Sequence, residues 1–146
     1  MSYATLEAAV STVIQKHADF DATNCSQGDY RQVGHGKARV AVLTYGGVRQ
    51  EDLTLSQIRL TWTINIDLFV PWGGQITTWQ TNFATERQKI VDTLAQWPQL
   101  DAAANVVSAR ILNGAAPGTA SLERGAYRGE RLFLEVAEVV SASRQE

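Results

Sequence analysis

The chain has 146 residues, 45% of them apolar and 19% charged, with a net charge of −2 divided evenly between its halves, so one domain over residues 1–146 is expected and no basic surface for nucleic acid is visible. A single Cys25 excludes an internal disulfide framework and a multi-cysteine zinc site. Met1 to Thr5 offers no leader pattern and no run approaches the ~18 apolar residues of a membrane helix, so neither export nor a membrane partner is expected.

Leu6, Ala9, Val10, Val13, Ile14 and His17 recur at helical spacing and predict an amphipathic helix over residues 5–19. Residues 21–36 follow as a polar connection without hydrophobic period, longer than usual. Residues 38–45 (ARVAVLTY) read as a strand covered on both faces or by a neighbouring subunit, stopped by Gly46-Gly47. From 58 to 70, Ile58, Leu60, Trp62, Ile64, Ile66, Leu68 and Val70 occupy every second position, the mark of a strand with one face in a core. Its other face is polar as far as Asp67 and then carries Phe69, an apolar residue on a polar face and so a candidate for subunit contact. At about 3.3 Å per residue this strand spans roughly 43 Å, more than twice the common length, so part of it is expected to project beyond the domain. An antiparallel hairpin with the preceding strand is the expected pairing, and Pro71-Trp72-Gly73-Gly74 ends it.

Trp79, Phe83, Ile90, Leu94 and their neighbours predict a second helix over residues 77–96, halted by Pro98. Residues 105–112 and 131–140 read as two more strands around a glycine-rich loop. The order αββαββ defines an α+β class: a mainly antiparallel or mixed four-stranded sheet packed against two helices.

Chemical motifs fail on inspection. Gly34-His35-Gly36-Lys37 lacks the phosphate-loop pattern, because Arg31 and Ala38 stand where Gly and Ser/Thr are needed. Asp19, Asp21, Thr23 and Asn24 imitate the start of a calcium loop, but Asn24 replaces the turn glycine and Tyr30 the bidentate glutamate. Cys25 with His17 or His35 is the only Cys/His set, and a small ligand-binding domain or hydrolase using Cys25 and His35 is the rival reading from another class. No catalytic, cofactor-binding or metal-ligating residue is assigned, and no cofactor. Contact residues are easier to name. Trp72 sits in a Pro-Gly turn, and Arg87 falls on the stripe of the second helix, either snorkelling over apolar surface or meeting a carboxylate. The loop 123–131 (ERGAYRGER) sets Arg124, Tyr127 and Arg128 among glycines, either to grip an acidic protein surface or as a mobile solvated tip.

Leu6 through His17, then residues 38–45, then residues 60–71 ending Asp-Leu-Phe-Val-Pro, then a tryptophan-bearing helix closing on Trp97-Pro98-Gln99-Leu100, together resemble the tail terminator proteins of long-tailed bacteriophages, with the lambda-like minor tail protein U family as the nearest comparison. The likeness covers residues 6 to 100. It implies a subunit of a homohexameric ring on the head-proximal end of the tail tube, halting tube growth and presenting the head-joining surface. It further implies three partners: other copies of this chain, the tail tube protein and the head-tail connector or neck protein. DNA would pass through the ring. The location implied is the neck end of the virion tail, after assembly in the host cytoplasm. The family brings no catalytic residues. A neck or head-completion connector, or another minor tail protein, is the alternative within this class. The hairpin of the two long strands and residues 21–36 are expected to make ring contacts, and residues 113–129 to meet an axial partner.

Overall fold

In the computed structural model, which describes residues 2–33, 36–101, 103, 105–112 and 122–141, the elements run α1 (Tyr3–Ile14), β1 (Cys25–Gln27), a 3₁₀ turn (Tyr30–Gln32), β2 (Val40–Asp52), β3 (Gln57–Pro71), α2 (Ile76–Gln96), β4 (Val106–Ile111), β5 (Leu122–Arg124) and β6 (Tyr127–Ser141). The α+β class stands as expected. The sheet, however, has six strands rather than four, in the order β1-β2-β3-β6-β4, with β5 also pairing β6. The additional β1 and β5 have three residues each, too short for any period to announce them. All pairings are antiparallel except β1 with β2.

The Ser2 hydroxyl caps α1 by accepting from the Thr5 N–H, and Leu6, Val10, Val13 and Ile14 form its buried face. The helix stops at Ile14 rather than residue 19, because the chain then tightens through single turns that carry Phe20 back into the core. α2 buries Trp79, Phe83, Ile90 and Leu94 and ends against Pro98. Both helices pack on one face of the sheet, α1 against β1 and β2, α2 against β3 and β4. Ile64, Ile66, Leu68 and Val70 meet them there, with Leu132, Leu134 and Val136 alongside.

The strand before the hairpin does not stop at Gly46-Gly47. It passes through them on a bulge between Tyr45 and Gly47 and continues to Asp52. A Cβ at Gly46 would lie 2.8 Å from both the Thr63 carbonyl oxygen and Asn65 Oδ1, and Gly47 has a φ of +125°, so each position requires glycine. Past the bulge, Trp62 of β3 still packs against the core, 6.0 Å from the Tyr3 ring of α1, and side chains become mostly exposed only nearer the turn, over residues 49–59. The long β3 expected from sequence thus ends in an exposed hairpin.

The second face of the sheet has its own small core of Val33, Val40, Val42, Phe69 and Tyr127, covered by Tyr30 and Leu122. Val40 to Leu43 are accordingly buried from both sides, as their continuous apolar run implied. Residues 21–33 supply part of that cover, so this segment is a structured flap over the sheet and not only a long polar connection.

Candidate contact surface

The end of the sheet opposite the hairpin gathers most of the contact residues expected from sequence. Pro71 pairs with Tyr127 there, and Val70 with Arg128. On the helix-facing side, the Arg128 guanidinium lies 5.0 Å from the ring centres of both Trp72 and Trp79. The Trp79 indole N–H donates to the Arg128 carbonyl at 3.0 Å, and the Trp72 N–H donates to the Ala126 carbonyl at 2.7 Å. Trp72 is thus partly buried against Trp79 rather than standing free. A cleft of about 300 Å³ opens beside them, walled by Pro71, Trp72 and Trp79 and rimmed by Gln75, Thr78 and Asn82.

On the opposite side, Phe69 is only 2% exposed. The sequence placed it as an apolar residue on a polar face available for contact; the structure corrects this, because Tyr30 meets it edge-on at 6.2 Å and Gly129 lies beneath it. Tyr127 is likewise a buried strand residue and not part of a solvated tip. Its hydroxyl donates to the Lys37 carbonyl at 2.8 Å. Arg124 remains exposed, with its guanidinium 5.7 Å from the Tyr30 ring.

Asp67, at 1% exposure, is the buried charge that sequence reading left unremarked on the polar face of β3. Arg131 donates to its two oxygens at 2.7 and 3.1 Å, and the Tyr30 hydroxyl donates at 2.6 Å. Burial and the neighbouring Asp67 charge raise the Tyr30 hydroxyl above its usual range, and the same carboxylate raises Arg131. Asp67 and Arg131 sit directly opposite each other in the β3–β6 register, which is the cross-strand signal that would have found the pair. A cleft of about 260 Å³ lies over them, between Leu122 and Arg124.

Arg87 requires a second correction. The charged residue on the inward line of α2 is Glu86, between Phe83 and Ile90, and Arg87 is half-buried one position off it. Glu86 pairs with Arg39 just ahead of β2 and accepts from Lys89 at 2.9 Å, while Lys89 also reaches Asp19 at 2.9 Å. This network fastens α2 to the turn after α1 and to the entrance of β2. A wide, shallow groove of about 1170 Å³ runs beside it along the outer side of α2, with Lys16, His17 and Trp97 on its rim.

Cys25 is enclosed in the core beside α1. Cys25 is 2% exposed, its Sγ lies 3.7 Å from Ser11 Oγ, and burial pushes its thiol upward, away from the reactive thiolate. The His17 Nδ1 accepts from the Asp19 N–H at 3.0 Å. His35 lies outside the described residues. Asp21, Thr23 and Asn24 direct their oxygens into their own turn: Asp21 Oδ1 accepts from the Thr23 N–H at 2.7 Å and Asn24 Oδ1 from the Asp21 N–H at 2.8 Å. Among the described residues no cluster of His, Cys, Asp or Glu is spaced to hold a metal ion.

At the hairpin end the surface is of another kind. Leu55 is 84% exposed, Tyr45 53% and Val48 46%, with Leu53 beside them. Sequence alternation pointed to the strand but not to these residues: Val48, Leu53 and Leu55 lie toward or in the hairpin turn, whereas Tyr45 stands mid-strand opposite Ile64, its ring meeting Tyr3 of α1 edge-on at 4.7 Å. No known protein-family model matches the chain, and no curated protein matches it.

Proposed function

We propose that this chain is a structural subunit that assembles with copies of itself into a ring capping the head-proximal end of a phage tail tube, ending tube growth and offering the surface to which the head is joined. The observation that carries the reading is the long β2–β3 hairpin, whose turn end exposes Val48, Leu53 and Leu55 to solvent. Exposed apolar side chains at a hairpin end are suited to contact between proteins. A closed ring needs two unlike surfaces on each subunit, and the two sides of the sheet differ, β2 with 13 residues toward one and β4 with 6 at the other. The order and spacing of elements over residues 6 to 100 supply the tail-terminator assignment specifically.

The experiment is light scattering and negative-stain imaging of the purified protein with and without tail tubes. Rings of about 96 kDa, six copies of the 16.0-kDa chain, seated on one tube end are the expected outcome. Rings that bind heads but not tubes would move the assignment to a neck or head-completion connector. A monomer without affinity for tubes would overturn it.

A further inference from the structure

Among the described residues seven large apolar side chains stand exposed, and six of them lie along the two edges of the sheet or beside them. Tyr45, Val48, Leu53 and Leu55 belong to the β2–β3 hairpin; Val107 and Leu112 lie on β4 and just past it. On its outer side β2 is covered by β1 only at residues 41–43, where the Ala41 N–H donates to the Asn24 carbonyl and the Leu43 carbonyl accepts from the Gly28 N–H. Among the described residues, its sheet pairing from residue 44 to 52 is to β3, and β4 pairs on one side, with β6. A strand edge that carries apolar side chains and no proline is a template for another strand.

Direction selects the partner. β2 and β3 run oppositely, as do β3 and β6, and β6 and β4, so β2 and β4 are antiparallel to each other across the sheet. In copies that follow one another head to tail around an axis, β4 of one would therefore meet β2 of the next in the antiparallel sense, the more stable ladder. Charge agrees with this choice. The one charged residue of β4 is the exposed Arg110, held by a long 3.6 Å contact to Glu135, whereas the far half of β2 carries Arg49 followed by Glu51 and Asp52 and so ends acidic.

We infer that the sheet continues from copy to copy, with β4 of one subunit adding to the outer edge of β2 of the next and Arg110 facing the acidic end of β2. The inference deepens the ring reading and rests on it for the head-to-tail relation of the copies. The test measures assembly mass by light scattering for the wild type, Gln50→Pro, Gln50→Ala, Glu51→Arg, Arg110→Glu and the double charge exchange. Counting strand alternation from the bulge, the Gln50 N–H points away from β3, so proline there removes an outward donor and spares the β3 ladder. Gln50→Pro should lower the ring fraction at least tenfold with an unchanged monomer circular dichroism spectrum, and Gln50→Ala should assemble normally. Each charge reversal should weaken assembly and the pair should restore it. If Gln50→Pro misfolds, the charge exchange decides. Wild-type rings that persist in folded Gln50→Pro, single reversals without effect, or impaired singles without rescue overturn the strand-addition inference and leave the ring reading standing. A wild type that is monomeric both alone and with tubes overturns both, and a dimer as the terminal assembly does the same.

Discussion

Replacing Asp67 by asparagine asks whether the second face of the sheet is held by charge or by shape alone. Three donors converge on this carboxylate, which is 1% exposed, while Arg131 is 36% exposed. Hydrogen bonds to a charged group contribute about 1.5–3 kcal/mol each. The amide of the Asp67→Asn variant keeps one acceptor oxygen, and water reaches part of Arg131, so much of one bond and the ionic part of another are lost. The expected destabilisation is about 2–3 kcal/mol, below the ~3–5 kcal/mol of breaking a fully enclosed ion pair. Urea unfolding should show it as a lower midpoint at unchanged slope, and thermal unfolding as a drop of about 6–9 °C. A loss below about 0.5 kcal/mol would refute the argument and mark the pair as solvent-screened.

Gly129→Ala should be more damaging, at about 3 kcal/mol or above, because the new Cβ would fall 2.1 Å from the Leu68 carbonyl oxygen and 3.0 Å from the Phe69 ring; wild-type stability in urea would show that the β3–β6 ladder has room the geometry denies. Lowering the pH should cost a little stability through exposed carboxylates. The bonds from Arg31 hold Asp29 down at about 2 from an ordinary 3.8, and Lys89 lowers Asp19. Both are depressed in the folded state, so their contribution is complete above the ordinary value and disappears as pH falls toward about 2. High salt and Arg31→Ala should each flatten that segment of the pH profile; a profile indifferent to both would contradict the assignment. Cys25, buried and with its thiol raised, should react with a thiol reagent at least about a hundredfold more slowly in the native than in the unfolded protein, and equal rates would place it at the surface.

Both helices and the long strand were legible because each writes its period into side chains that share one core. The misjudged positions are those whose environment arrives from far along the chain. Phe69 and Asp67 looked solvent-facing because Tyr30 and Leu122, which cover them, belong to a 3₁₀ turn and a three-residue strand with no pattern of their own. Glu86 took the inward place next to Arg87 because Arg39 waits there to pair with it, and helical spacing alone cannot separate adjacent charged positions along a stripe. Gly46-Gly47 read as a stop, since a bulge depends on the facing Thr63 and Asn65 as much as on the glycines themselves. Arg128 was chosen for its charge, yet its partners, Trp72 and Trp79, lie before and within a different element. Residues 113–121 lie outside the described residues, so the axial contact expected there stays with the sequence.

The position of β6 has a bearing on how the protein comes into being. It is the last of the described strands to leave a ribosome, yet it sits between β3 on one side and β4 with β5 on the other. The β2–β3 hairpin forms from neighbouring segments and needs nothing further along the chain, whereas β4 and β5 have no strand to pair with until β6 arrives. Until that moment β3 shows a bare edge bearing Ile64, Ile66 and Leu68, the kind of segment that aggregates when closure is slow. Completion of the sheet is therefore a late, long-range event, and the outer edge of β4 comes into existence only with it, so a half-made chain has no completed edge to offer a neighbour.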